Sequence, residues 1–179
     1  DAHLLAANPV NRLCYAGSVL HTQPDGFHRS REPIQIGAEL YGEAGPAADL
    51  EVVQLMLAAL ATAPVTDLQL DIGHVGVYRA LAREAGLAGE VETRLFAALQ
   101  AKDATEVAAL TANLPKLLAD AFAALPQLYG DSAVLKVARA RLPALPAVAA
   151  ALDTLDTLDA GLAGANPAYD LAELRGYGY

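Results

Sequence analysis

Gln35, Gly37 and Glu39 fall on one side of Ile34-Gln35-Ile36-Gly37-Ala38-Glu39-Leu40-Tyr41, because side chains alternate faces along a strand. That side carries an amide and a carboxylate about 13 Å apart along the chain, with a glycine between them. Glycine at such a point removes a side chain and lets a ligand lie against the backbone. The chemistry on offer is the grip of a small, polar, cationic ligand. The same pattern also describes a strand with one wet face. On the opposite side Ile34, Ile36, Ala38 and Leu40 form an apolar row, expected to pack on helices.

A second alternation closes the chain. Leu171, Glu173, Arg175, Tyr177 and Tyr179 share one face, with Leu174, Gly176 and Gly178 opposite. An arginine between a carboxylate and two tyrosines suits an anionic group such as an amino-acid carboxylate. An exposed edge strand with a cross-strand ion pair fits equally well.

Other chemistry is poorly served. His3, His21, His28 and His74 lack metal-ligand spacing, so neither a metal nor another cofactor is expected. Gly42-Glu43-Ala44-Gly45-Pro46 has no lysine and no phosphate-loop spacing. No Ser-His-Asp or Cys-His signature is present. Cys14, the one cysteine, excludes an internal disulfide and is expected to be packed rather than nucleophilic. In Leu152-Asp153-Thr154-Leu155-Asp156-Thr157-Leu158-Asp159 the leucines make one helix face and the aspartates another, a solvated face rather than a calcium site.

These residues need elements to hold them. Residues 1–7 read as the tail of a helix, 11–22 as a strand, 23–30 as a loop and 33–42 as the returning antiparallel strand. A helix is expected over 46–63, where Leu50, Val53, Leu57 and Leu60 recur at helical spacing. A strand over 65–72 and a helix over 75–85 follow. Residues 89–161 are rich in Ala and Leu, broken by Pro115, Pro126, Pro143 and Pro146, and read as several short helices without a strand. A last strand is expected over 168–179. The order implies an α+β fold, a sheet domain interrupted by a helical insertion, divided as 1–88, 89–164 and 165–179.

Composition narrows the setting. The chain has 179 residues, 54% hydrophobic and 18% charged, enough for a sizeable core. Its net charge of −9 disfavours tight binding to a phosphate backbone. The longest apolar run, near 55–65, is too short to span a bilayer, and no signal peptide pattern opens the chain, so a soluble protein is expected.

The segment Cys14-Tyr15-Ala16-Gly17-Ser18-Val19-Leu20-His21-Thr22 and the strand Gln35 to Gly42 resemble motif 2 of histidyl-tRNA synthetases. Leu70-Asp71-Ile72-Gly73-His74-Val75-Gly76-Val77-Tyr78 continues the resemblance, and Arg175-Gly176-Tyr177-Gly178-Tyr179 is similar to the histidine-binding strand of those enzymes. The resemblance implies a class II synthetase catalytic core, mostly antiparallel, with a helical insertion. It also implies a histidine site at Gln35, Glu39, Arg175 and Tyr179, although Tyr177 and Gly178 depart from the family's Leu-Asp. Arg29 and Arg31 match loop arginines and are candidate anion contacts. Leu20, His21 and Gln23 stand where the synthetases carry the Phe-Arg pair and Glu that hold ATP and the acceptor end. A neutral imidazole does not replace an arginine that stabilises phosphate charge during adenylate formation.

The wording Gly-Ser-Val-Leu-His-Thr, Arg-Glu-Pro-Ile-Gln-Ile-Gly-Ala-Glu-Leu and Leu-Arg-Gly-Tyr-Gly-Tyr resembles the regulatory subunits of short-form ATP phosphoribosyltransferase. That resemblance implies a cytoplasmic, non-catalytic protein that self-associates and joins a short catalytic subunit. It implies feedback inhibition by histidine at the first step of histidine biosynthesis, with no tRNA and no membrane as partner. A divergent histidine-activating synthetase and an unrelated binding module are the alternatives. Family members run on at both ends, through motif 1 and motif 3, so the chain is expected to be part of a longer protein.

Overall fold

A computed structural model of the chain describes residues 9–20 and 31–174. The chain divides into two compact units, residues 1–64 and 65–179. The readings of a helix at 1–7 and a loop at 23–30 lie outside the described residues.

In the first unit, β1 (Asn11–Ser18) pairs antiparallel with β2 (Ile34–Tyr41), in register from Asn11 opposite Tyr41 to Ser18 opposite Ile34. Helix α1 (Pro46–Leu60) follows, opened by Pro46 and by Asp49 in its first turn. It stops three residues short of the expected end, and the chain turns from Ala61 to Pro64. The apolar row of β2 is covered at one end only. Ala38 and Leu40 are half-buried and share a cleft with Val52 and Leu55 of α1. Ile34 and Ile36 are 76% and 78% exposed. The expected packing on helices therefore fails at Ile34 and Ile36, because the residues of α1 that meet the pair do so nearer the Arg12–Leu40 end.

The second unit is built on helices α2 (Val75–Glu84), α3 (Gly89–Gln100), α4 (Ala104–Thr111), α5 (Lys116–Ala124), α6 (Ala133–Arg141) and α7 (Pro146–Gly161). Asp103 caps α4 by accepting N–H bonds from Thr105 and Glu106 at 3.0 Å. The core gathers around Tyr78, whose ring meets Phe96 and Phe122 edge-on at 5.8 and 6.2 Å between centroids. Leu81, Leu95, Leu99, Leu125 and Leu155 are fully buried around them. On α7, Leu152, Leu155 and Leu158 are buried, while Asp153 and Asp156 point outward to Arg139 of α6.

A small sheet of order β3-β5-β4 completes this unit, from β3 (Asp71–Ile72), β4 (Tyr129–Gly130) and β5 (Ala168–Asp170). β3 runs parallel to β5, and β4 antiparallel. Three expectations are corrected here. The strand foreseen over 65–72 is a strand only at Asp71–Ile72; Val65 and Leu68 are exposed and pair with no ladder. The strand foreseen from 168 stops at Asp170, whose carboxylate accepts the Ala172 N–H at 2.9 Å while its carbonyl accepts that of Glu173 at 3.1 Å, turning the chain. The helical block does contain a strand, β4, too short for alternation to reveal. Lys102, just past α3, bonds Asp170 at 2.7 Å and lies 5.0 Å from the centre of the Tyr129 ring. The fold is α+β.

Candidate functional site

Opposite residues of an antiparallel pair share a face, so the register places Leu13 with Glu39, Tyr15 with Gly37, and Gly17 with Gln35. Gln35 donates an amide N–H to the Tyr15 hydroxyl at 2.8 Å. The Tyr15 ring lies over Gly37: a Cβ built there would fall 2.3 Å from the ring's Cζ. The glycine expected to admit a ligand to the backbone thus admits Tyr15, and a ligand reaching that backbone has to displace the ring. At the other end of the face the Tyr41 hydroxyl donates to the Glu39 carboxylate. That bond, and then the carboxylate's charge, raise the Tyr41 hydroxyl above its ordinary pKa.

Gln35 and Glu39 are therefore both on one exposed face, each held by a tyrosine. An amide oxygen and a carboxylate on an open, aromatic-lined surface suit a cationic or hydrogen-donating ligand. Tyr15 and Tyr41 were missed as site residues from sequence. The signal for Tyr41 was its place two residues beyond Glu39; for Tyr15 it was the strand register, which a sequence does not print.

The reverse face holds a cleft of about 190 Å³ between the strand pair and α1, walled by Cys14, Ala38, Leu40, Val52 and Leu55. At its edge Arg12 grips Glu51 through both guanidinium and carboxylate forks, with Nη2 to Oε2 at 2.8 Å. The bond to Glu51 raises the Arg12 pKa, and the bond to Arg12 lowers that of Glu51. Cys14, expected to be packed, is exposed, because its side of β1 opens on this cleft instead of a filled core.

Leu20 is 76% exposed just beyond β1, and Arg31 lies exposed ahead of β2. His21, Gln23, Arg29, Arg175 and Tyr179 lie outside the described residues. Among the described residues no group of three or more His, Cys, Asp or Glu is placed to hold a metal ion. No described helix is long and apolar enough to cross a membrane.

A long antiparallel pair bearing an amide–carboxylate face, followed by a helical block that returns to a short strand, is the arrangement of a class II synthetase-like protein. The family model described as histidyl-tRNA synthetase matches residues 1–179, and the chain belongs to that family. It is 71% identical over 179 residues to an ATP phosphoribosyltransferase regulatory subunit of Thiobacillus denitrificans, covering 100% of this chain and 56% of the relative. It is 58% identical to one of Ralstonia nicotianae, covering 100% of this chain and 46% of that protein. The chain spans about half the length of the curated relatives it matches. The crystal structure of an ATP phosphoribosyltransferase regulatory subunit/histidyl-tRNA synthetase from Bacillus halodurans matches with a TM-score of 0.80 at 28% identity, over 96% of this chain and 46% of that one. A chain of the ATP phosphoribosyl transferase (HisG:HisZ) complex from Thermotoga maritima matches at 0.64 and 16% identity, over 93% and 58% of the two chains, a likeness of fold.

Proposed function

We propose that the protein bearing this chain is a regulatory subunit of ATP phosphoribosyltransferase, acting with a short catalytic subunit at the first step of histidine biosynthesis. The observation that carries this is the 71% identity, along all 179 residues, to a relative of that name. In this reading the protein is cytoplasmic, self-associates, does no chemistry of its own, and passes histidine inhibition to its partner. Residues 1–88 and 165–179 belong to the synthetase-like core, and 89–164 are an insertion into it.

Histidine is gripped by Gln35 and Glu39 on the tyrosine-lined face; the synthetase resemblance adds Arg175 and Tyr179 as histidine contacts and Arg29 and Arg31 as candidate anion contacts. Leu20, His21 and Gln23 in place of the synthetase residues support the loss of amino-acid activation, since charge on a transferring phosphate needs a fixed cation. Reconstitution of the full-length protein with a short-form catalytic subunit tests the assignment. Phosphoribosyl transfer should rise on mixing and fall as histidine is added; no change in rate on mixing refutes it. The family match also favours a second reading, a divergent histidine-activating synthetase. Histidine-dependent exchange of pyrophosphate into ATP would establish that reading and displace the first.

A further inference from the structure

Lys102 follows the last turn of α3 in a backbone conformation that side chains rarely take. Its φ is 53°, and among the described residues the other non-glycine at positive φ is Asn166. The Lys102 N–H bonds the Leu99 carbonyl at 3.0 Å and the Asp103 N–H bonds that of Ala98 at 2.9 Å, a helix ending whose left-handed position glycine usually fills. Asp103 then caps α4, so Lys102 stands on a joint fixed at both sides. A lysine there is strained where a glycine would not be, and what its side chain gains is specific. The ammonium meets the Asp170 carboxylate at 2.7 Å and lies 5.0 Å from the centre of the Tyr129 ring. Tyr129 itself pairs with Asp170 across β4 and β5.

Asp170 governs the turn that ends β5. Its side chain is 12% exposed and accepts the Ala172 N–H as well as the Lys102 ammonium. The Leu171 N–H bonds the Leu128 carbonyl at 3.1 Å, and Leu171, Ala172 and Leu174 are buried. Gly73, between β3 and α2, lets this turn close. A Cβ there would fall 2.8 Å from the Glu173 carbonyl oxygen and 3.0 Å from that of Asp170. Arg175 is the next residue after the turn.

We propose that Lys102 is a positioning residue for Arg175. By holding the Asp170 carboxylate, its ammonium fixes the turn at 170–174 and so the point from which the chain enters residues 175–179. Lys102 acts through that turn and not on the ligand. Without the ammonium, a mostly buried carboxylate loses its charged partner, and the turn is freer to rearrange. The consequence for binding rests on the reading of Arg175 as a histidine contact; the hold on the turn does not.

Hydrogen exchange on the unliganded full-length protein tests the hold. In Lys102→Met, and in Lys102→Gly, which eases the backbone, amides of residues 171–179 should exchange about threefold faster or more. Those of α2 should keep the parent rate, and Lys102→Arg should restore protection. Calorimetry with histidine tests the consequence. Lys102→Met should bind about threefold more weakly or worse, Lys102→Arg close to the parent, and Lys102→Met should cost less affinity in an Arg175→Ala background. Parental exchange at 171–179 in Lys102→Met, an equal rise in α2, unchanged histidine affinity, or the same loss with and without Arg175 each overturns the proposal. If the parent binds no histidine, the regulatory reading fails, and the exchange comparison alone supports or overturns the positioning role.

Discussion

The aromatic ring of Tyr15 occupies the place a side chain at Gly37 would take, and its hydroxyl receives the amide of Gln35 from the neighbouring position. One residue thereby covers the strand backbone and orients a candidate ligand contact. Tyr15→Phe keeps the cover and removes the acceptor. Histidine affinity of the full-length protein, by calorimetry, should fall about two- to tenfold, the worth of one hydrogen bond. An unchanged affinity would mean that Tyr15 does not position Gln35 for binding.

Glu39 supplies the face's negative charge, and Glu39→Gln tests it with little change of shape. Histidine binding should weaken about tenfold or more, as expected for loss of a charged hydrogen-bond partner. In the same variant the Tyr41 hydroxyl should titrate lower than in the parent, because the bond and charge that raise it are gone. Carbon-13 NMR at the tyrosine Cζ reads that shift, and no movement would mean that Tyr41 and Glu39 do not bond in solution.

Tyr169 is buried and donates to Asp159, and burial, then that bond, keep its hydroxyl protonated well above the ordinary tyrosine range. Unfolded tyrosines lose their proton near about pH 10. Below that pH both states hold the proton and the contribution to stability is complete. Above it the unfolded chain sheds a proton that the folded chain keeps, so stability drops as pH rises. Tyr169→Phe should cost about 1 kcal/mol near neutrality and flatten the alkaline decline in urea midpoints. A parallel decline in both proteins would assign the effect to other groups.

Phe122 is fully buried against Tyr78. Phe122→Ala should destabilise the fold by about 3–5 kcal/mol, from lost transfer energy and the cavity left behind. Arg139→Ala, at a half-exposed bridge to Asp153 and Asp156, should cost about 1 kcal/mol or less and nothing at high salt. Denaturant unfolding of the two variants checks the contrast.

How much of this was legible in the sequence depended on the range of the forces involved. The alternation of Ile34 to Tyr41 and the helical spacing from Leu50 to Leu60 are local patterns, and β2 and α1 appear where those patterns put them. Gln35 and Glu39 share a face for the same reason. The role of Tyr15 depended on pairing across 22 residues, from Tyr15 to Gly37, which no local pattern states. The early end of β5 turned on one carboxylate, Asp170, competing for backbone N–H bonds. The exposure of Ile34 and Ile36 is a matter of what lies above them, and hydrophobicity alone does not supply a neighbour.

Lys102 and Asp170 are 68 positions apart in sequence and joined by a 2.7 Å bond, so the start and finish of most of the helical stretch are fastened to one another. A protease nick beside the exposed Ala144, in the loop between α6 and α7, should then leave two pieces that stay together through gel filtration. The same clasp makes that loop a natural place to open new termini in a circularly permuted version of the protein.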